Sequence, residues 1–169
     1  MDPSGLQGAL FDPSEGYLDP SGTTHAFAQA ARAQGADVIE HNRVLSLSML
    51  PNRMWRVETE QGVVTAQHVV NAAGLWARRV GNMVGVDHPL VPMLHHYLVT
   101  DDVSEIASFE GEMSKVIDLE GFTYMHREGN GVLLGVYERG PRHWQIQGAE
   151  WDYDGSLFRE ELERIMPEL

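Results

Sequence analysis

The stretch His68–Gly81, HVVNAAGLWARRVG, constrains the fold of this chain more than any other. The β-branched pair Val69 and Val70 gives way to the small residues Ala72, Ala73 and Gly74, and then to a run from Leu75 to Val80 that can wind as a helix. The pattern predicts a strand, a tight turn and the start of a helix. Small residues at such a turn let backbone N–H groups approach a ligand closely, and a helix start favours phosphate through its unpaired amides and dipole. A simple packed strand–helix junction has the same letters, so the stretch alone leaves both uses open.

The segments on either side predict more regular structure. Asp19 is placed to cap a helix whose first residue is Pro20, where the fixed φ and missing N–H of proline are tolerated. That helix presents Phe27, Ala30 and Ala31 on one face and stops at Gly35. Before it, Gly8–Leu18 is expected as a short strand and a loop closed by Asp12-Pro13 and Asp19-Pro20. After it, Val38, Ile39, Val44, Leu45 and Leu47 predict two short strand segments. A helix between strands is a βαβ unit and implies a parallel sheet. Trp55–Thr59 and Gly62–Gln67 are expected as a hairpin turning at Glu60-Gln61-Gly62.

From Leu94 onward the character changes. HHYLVT, KVIDL, FTYMHRE and VLLGVYE are short segments rich in aromatic and β-branched residues, separated by acidic or Gly-Asn-Gly turns. Repeats of that kind predict an antiparallel sheet. A final helix is expected over 157–165, with Leu157, Phe158, Leu162 and Ile165 on one face.

Composition excludes several functions. Twelve basic residues against 25 acidic ones leave a formal charge of −13, which opposes nucleic acid or an anionic membrane as a partner. There is no cysteine, hence no disulfide or thiolate metal site. No apolar run is long enough to span a bilayer, and the first residues lack the marks of a secretory or transit signal. His41, His68, His88, His126 and His143 lack the short spacings of metal ligands, while the neighbours His95 and His96 face opposite ways on a strand. No GxSxG or phosphate-binding loop occurs, and Asp101, Asp102 and Glu105 are expected in a solvated turn.

Five segments in order carry a family resemblance: GALFDPSEGYLDPSGTTHAFAQAARAQGADVIEHNRV (8–44), VVNAAGLWARRVG (69–81), PLVPMLHHYLVT (89–100), IDLEGFTYMHRE (117–128) and LLGVYERG (133–140). They resemble the FAD-dependent amine oxidoreductases of the D-amino-acid-oxidase superfamily, in its dimethylglycine/sarcosine dehydrogenase branch. The resemblance implies an α/β (α+β) fold. Residues 1–88 would be part of a Rossmann-like FAD-binding domain, and residues 89–169 an antiparallel substrate-binding sheet with a C-terminal helix. The family places a GxGxxG turn before the first of these segments and a glycine-rich stretch over the flavin after the last. Neither is in the sequence, so the chain is expected to be an internal fragment or a truncated product.

The resemblance also implies the chemistry. A hydride leaves the N-methyl group of a small N-methylated amino acid for FAD, which Val44 (through its backbone), Ala72, Ala73, Gly74 and Trp76 would contact. Tetrahydrofolate would act only through a domain absent from this chain. His95 matches the active-site histidine of the family, an imidazole that can accept a proton near neutrality. Tyr124 matches the tyrosine of the substrate strand, a rigid hydroxyl donor. Relatives mostly carry Gln where this chain has His96, and often an aromatic where it has Thr123, which leaves open which imidazole faces the flavin. Tyr137 and Glu138 also recur and are expected to be structural. Alternation puts Tyr97 on the face of His95. The electron acceptor would be an electron-transfer protein or oxygen. The protein would be cytoplasmic if bacterial and in the mitochondrial matrix if eukaryotic. The alternatives are a non-catalytic relative, such as the regulatory subunit of pyruvate dehydrogenase phosphatase, and an amino-acid oxidase.

Overall fold

Helix α1, Pro20–Ala33, follows from its ends: the Asp19 carboxylate accepts from the Gly22 N–H, and Pro20 occupies the first turn. At the other end Gly35 adopts φ 88°, with its N–H on the Arg32 carbonyl and that of Ala36 on the Ala31 carbonyl. This paired closure needs a left-handed residue, which glycine supplies without a Cβ clash. The structure is a computed structural model and describes residues 5–168. Within them no residue of α1 is buried, so Phe27 stays exposed.

Two antiparallel sheets follow. The first has three strands, β1 (Val44–Met49), β2 (Trp55–Thr59) and β3 (Gly62–Ala66), in that order. Thr59 faces Gly62 across the two-residue turn of the β2–β3 hairpin. The second sheet contains β4 (His96–Val99), β5 (Val116–Asp118), β6 (Thr123–Glu128) and β7 (Gly131–Val136), in the order β4-β7-β6-β5. Helix α2 (Ala77–Asn82) lies between the sheets in sequence, and the single turn α3 (Ser104–Ala107) follows β4. No helix among the described residues is long and apolar enough to cross a membrane.

Several expectations fail, and the strands among them fail for a reason of backbone pairing. Residues 68–73 form no strand, and every ladder among the described residues is antiparallel, so the predicted βαβ unit with a parallel sheet is absent. A strand exists only where another backbone lies beside it, and nothing described here runs alongside Val69 and Val70, which are exposed. The helix expected from Leu75 begins instead as a 3-10 turn, Gly74–Trp76, before α2. Gly8–Leu18 and Val38-Ile39 are irregular, and β1 starts only at Val44. At the C-terminal end the helix over 157–165 is replaced by irregular chain and a 3-10 turn, Leu162–Arg164. A helix that short is marginal in isolation. Here Ile165 is fully buried, Leu157 is exposed, and Glu161 is drawn into ion pairs with Arg142 and Arg164.

Candidate functional site

The second sheet has two unlike faces, set by strand alternation. Tyr124 on β6 faces Gly135 on β7, and Gly135 also faces Tyr97 on β4, so these three positions share the front. Continuing the register beyond His96↔Val136 sets His95 opposite Tyr137 on the same side. Their rings stack at 4.8 Å, and the His95 ring lies 6.3 Å from that of Tyr124. Tyr124 and Tyr137 are 5.6 Å apart. The predicted pair His95 and Tyr124 is thus brought together, with Tyr137 as the third ring.

Gly135 makes this arrangement possible. A Cβ there would lie 2.0 Å from Tyr124 Cζ and 2.1 Å from Cε1, so the phenol ring lies directly across the glycine backbone. The sequence signal for it was only a glycine inside a strand pattern, which often marks such a close approach. The chain's single lysine, Lys115, was also unforeseen: its Nζ stands 4.9 Å from the centre of the Tyr124 ring. Farther along β6, His126 stacks at 4.9 Å on Tyr17 of the N-terminal loop.

Loss of solvent around His95 lowers its pKa below the usual imidazole value, partly offset by the Glu138 carboxylate and reinforced by His96. The same desolvation, with Tyr137 and Tyr97 nearby, raises the Tyr124 hydroxyl above the usual phenol value. Both shifts favour the neutral forms, an imidazole that can accept a proton and a phenol that can donate a hydrogen bond. A cavity of about 900 Å³ runs along β4, lined by His95, His96 and Tyr97 and by residues between Tyr153 and Arg164, but by neither Tyr124 nor Tyr137.

On the reverse face His96 Nδ1 lies 2.6 Å from Glu138 Oε1, and Arg164 bonds the other carboxylate oxygen. The Glu138 side chain is 4% exposed. His96 accordingly points away from the aromatic group and has a partner of its own.

The cofactor residues expected from the sequence lie on the other half. The Asn71 side chain ties the small-residue turn: its Nδ2 donates to the Ala77 carbonyl at 2.8 Å and its Oδ1 accepts from the Ala73 N–H at 3.2 Å. Ala72 and Gly74 remain exposed, and Gly74, at φ 51°, has nothing within 4 Å of the position a Cβ would take. An open small-residue surface of this kind fits the close approach of a dinucleotide. Trp76 donates its indole N–H to the Glu150 carbonyl at 2.8 Å, which leaves only its ring for a cofactor. Residues 148–151, given no role by the sequence, bridge the two cofactor segments. Arg79 of α2 pairs with Glu150 at 2.7 Å, and the Trp151 ring lies between Arg79 and Arg43, the residue before Val44, at 5.8 and 6.0 Å.

The DAO family of FAD dependent oxidoreductases matches residues 1–169. The chain belongs to that family. FAD is the family's cofactor, and the exposed turn at Ala72–Gly74 fits it. The chain is 40% identical over 165 residues to the mitochondrial dimethylglycine dehydrogenase of Mus musculus, covering 95% of this chain and 19% of that protein. It is 35% identical over 173 residues to the mitochondrial sarcosine dehydrogenase of Homo sapiens, covering 96% and 18%. This DAO-family chain therefore spans about a fifth of the length of the curated relatives it matches. Its fold is similar to that of an L-proline dehydrogenase from P. horikoshii, with TM-score 0.61 and 24% identity, over 89% of this chain and 38% of that one.

Proposed function

We propose that this chain is the part of an FAD-dependent dehydrogenase that binds and deprotonates a small N-methylated amino acid, dimethylglycine or sarcosine, for oxidation at the N-methyl carbon. The observation that carries this reading is the His95 ring stacked with Tyr137 and beside Tyr124 on one open sheet face. Bound FAD would supply the hydride acceptor, with Val44, Ala72, Ala73, Gly74 and the Trp76 ring as the residues that hold it. The substrate amine arrives protonated at neutral pH and must lose that proton before its neighbouring C–H bond can be oxidised. His95, whose pKa is lowered by partial loss of solvent, takes the proton at an imidazole nitrogen. The Tyr124 hydroxyl donates to the substrate carboxylate, and the Lys115 ammonium beside that ring pairs with its charge.

The test is rapid-mixing measurement of flavin reduction in the FAD-containing protein, comparing dimethylglycine and sarcosine with a tertiary methylamine of similar size that lacks the carboxylate. Fast reduction by the first two and slow, weakly saturating reduction by the third is the expected result. Equal reduction by all three would remove carboxylate recognition from this face, and no reduction by any N-methyl amine would remove the proposed substrate class.

A further inference from the structure

Behind the aromatic face lies a charged group that the proposed reaction does not use. The Glu138 carboxylate accepts from Arg164 on one oxygen and lies 2.6 Å from His96 Nδ1 on the other, and the three side chains are 4%, 17% and 16% exposed. Around them Val136 and Ile165 are fully buried. Each member of this clamp is adjacent in sequence, or anchored, to something that matters on the other side. His96 follows His95, Glu138 follows Tyr137, and Arg164 precedes the buried Ile165.

The geometry of the sheet shows why a clamp is needed at this point. β4 is an edge strand, its ladder with β7 ends at His96↔Val136, and His95 and Tyr137 lie one residue beyond that last pair. Beyond it the backbone is held by the Tyr137 N–H on the Phe122 carbonyl and by the Leu94 N–H on the Arg142 carbonyl. Neither bond joins the His95 backbone directly to that of Tyr137. The bond from His96 to Glu138 does join the two chains there, through the side chains that immediately follow the stacked rings.

We propose that Glu138, fixed by Arg164 and bonded to His96, is a positioning residue that holds His95 in stacking register with Tyr137 on the opposite face of the sheet. The proposal rests on the assignment of His95 to proton transfer. A ring held by packing on one face alone can tilt and slide, and small misplacements of a reacting group cost large factors in rate. The carboxylate also acts on His95 through space. The titratable and charged groups around that imidazole are Tyr137 and Glu138 from the β7 side, Tyr124 from β6, His96 and Tyr97 on its own segment, with Lys115 beyond Tyr124 and Arg164 beyond Glu138, while Arg142, Tyr153, Arg159, Glu160 and Glu161 share the cavity that His95 lines. Removing the negative charge makes His95 harder to protonate, whereas removing the arginine leaves that charge uncompensated and makes it easier.

The experiment compares Glu138→Gln, Arg164→Met and Arg164→Lys in the FAD-containing protein. Rates of flavin reduction at saturating substrate are expressed per bound flavin and followed against pH, with melting temperature recorded for each. Glu138→Gln and Arg164→Met are expected to lower the limiting rate about tenfold, the order of a modest loss of orientation. They should also move the acid limb of the pH profile in opposite directions, down for Glu138→Gln and up for Arg164→Met, and Arg164→Lys should restore most of the rate. Rates per flavin and pH profiles within twofold of the parent, with only the melting temperature lowered, would make the clamp purely structural and overturn the proposal. If His95→Ala itself leaves the rate unchanged, the assignment of His95 fails and the proposal falls with it. A slow His95→Ala beside normal clamp variants would sink the positioning role alone.

Discussion

The two faces of the second sheet each receive one histidine of the pair His95-His96 and use it in opposite ways. On the front, His95, Tyr124 and Tyr137 form a ring cluster with an open side, and partial loss of solvent lowers the pKa of its imidazole. On the back, His96 is tied to a buried carboxylate that also holds an arginine. Two adjacent histidines thus differ in everything but identity. A pleated strand turns successive side chains through half a circle, so one residue step separates a ring stacked on tyrosine from one bonded to a carboxylate. The lesson is that the environment on each side of the sheet, rather than the residue type, decides which histidine can exchange a proton with a substrate.

The sharpest way to break this contrast is to remove the front imidazole. His95→Ala should lower the rate of flavin reduction by roughly 10²–10⁴, the range for a positioned acid–base group, while His96→Ala costs far less. Paired rapid-mixing measurements check it, and a crippled His96→Ala beside a mild His95→Ala would invert the faces. The next largest effect is expected at Gly135. Because an added methyl would sit 2.0 Å from Tyr124 Cζ, Gly135→Ala must push the phenol off the front face. A loss of about 10² in kcat/KM is expected from a displacement of about 1 Å, together with a lower melting temperature from overpacking. An unaltered kcat/KM would show that the ring's seat over the glycine is immaterial.

Tyr124→Phe keeps the ring and removes only its donor. Its expected cost is about 1 kcal/mol, a severalfold rise in KM with kcat little changed, read from steady-state kinetics with dimethylglycine. The smallest effect sharpens the comparison instead of breaking it. Since desolvation lowers the pKa of His95, its neutral form persists to lower pH than that of a free imidazole. The acid limb of flavin reduction should therefore fall below about 6.5, the unperturbed histidine value, as the pH profile of reduction at fixed substrate would show. A limb above that value would mean that the Glu138 charge outweighs desolvation.

Much of this arrangement was legible beforehand, and the failures share one cause. The cap at Asp19, the closure at Gly35, the hairpin turning before Gly62 and the four strands of the second sheet are all local or nearest-neighbour events. Their signals lie within a few residues of the structure they predict. Strand alternation likewise put His95 and Tyr97 on one face and His96 on the other. By contrast, Val69 and Val70 carry as strong a strand pattern as any segment, yet strandhood requires a partner backbone that no local pattern supplies. The helical spacing from Leu157 to Ile165 fails similarly, because tertiary ion pairs of Glu161 and the burial of Ile165 outweigh a weak intrinsic preference.

The amino-acid sequence by itself determined the periodicities, turns and caps, and with them which side chains share a strand face. Family resemblance singled out His95 and Tyr124 from those candidates. Only the tertiary structure decided that Gly135 seats the Tyr124 ring, that Glu138 is held between His96 and Arg164, and that Trp151 joins Arg79 to the residue beside Val44. Each of these contacts joins residues 11 to 108 positions apart, counting Tyr124 to Gly135 as the nearest and Arg43 to Trp151 as the farthest. Spacing within a segment reports which way a side chain leaves its own backbone. It carries no record of what the rest of the fold will bring to meet it.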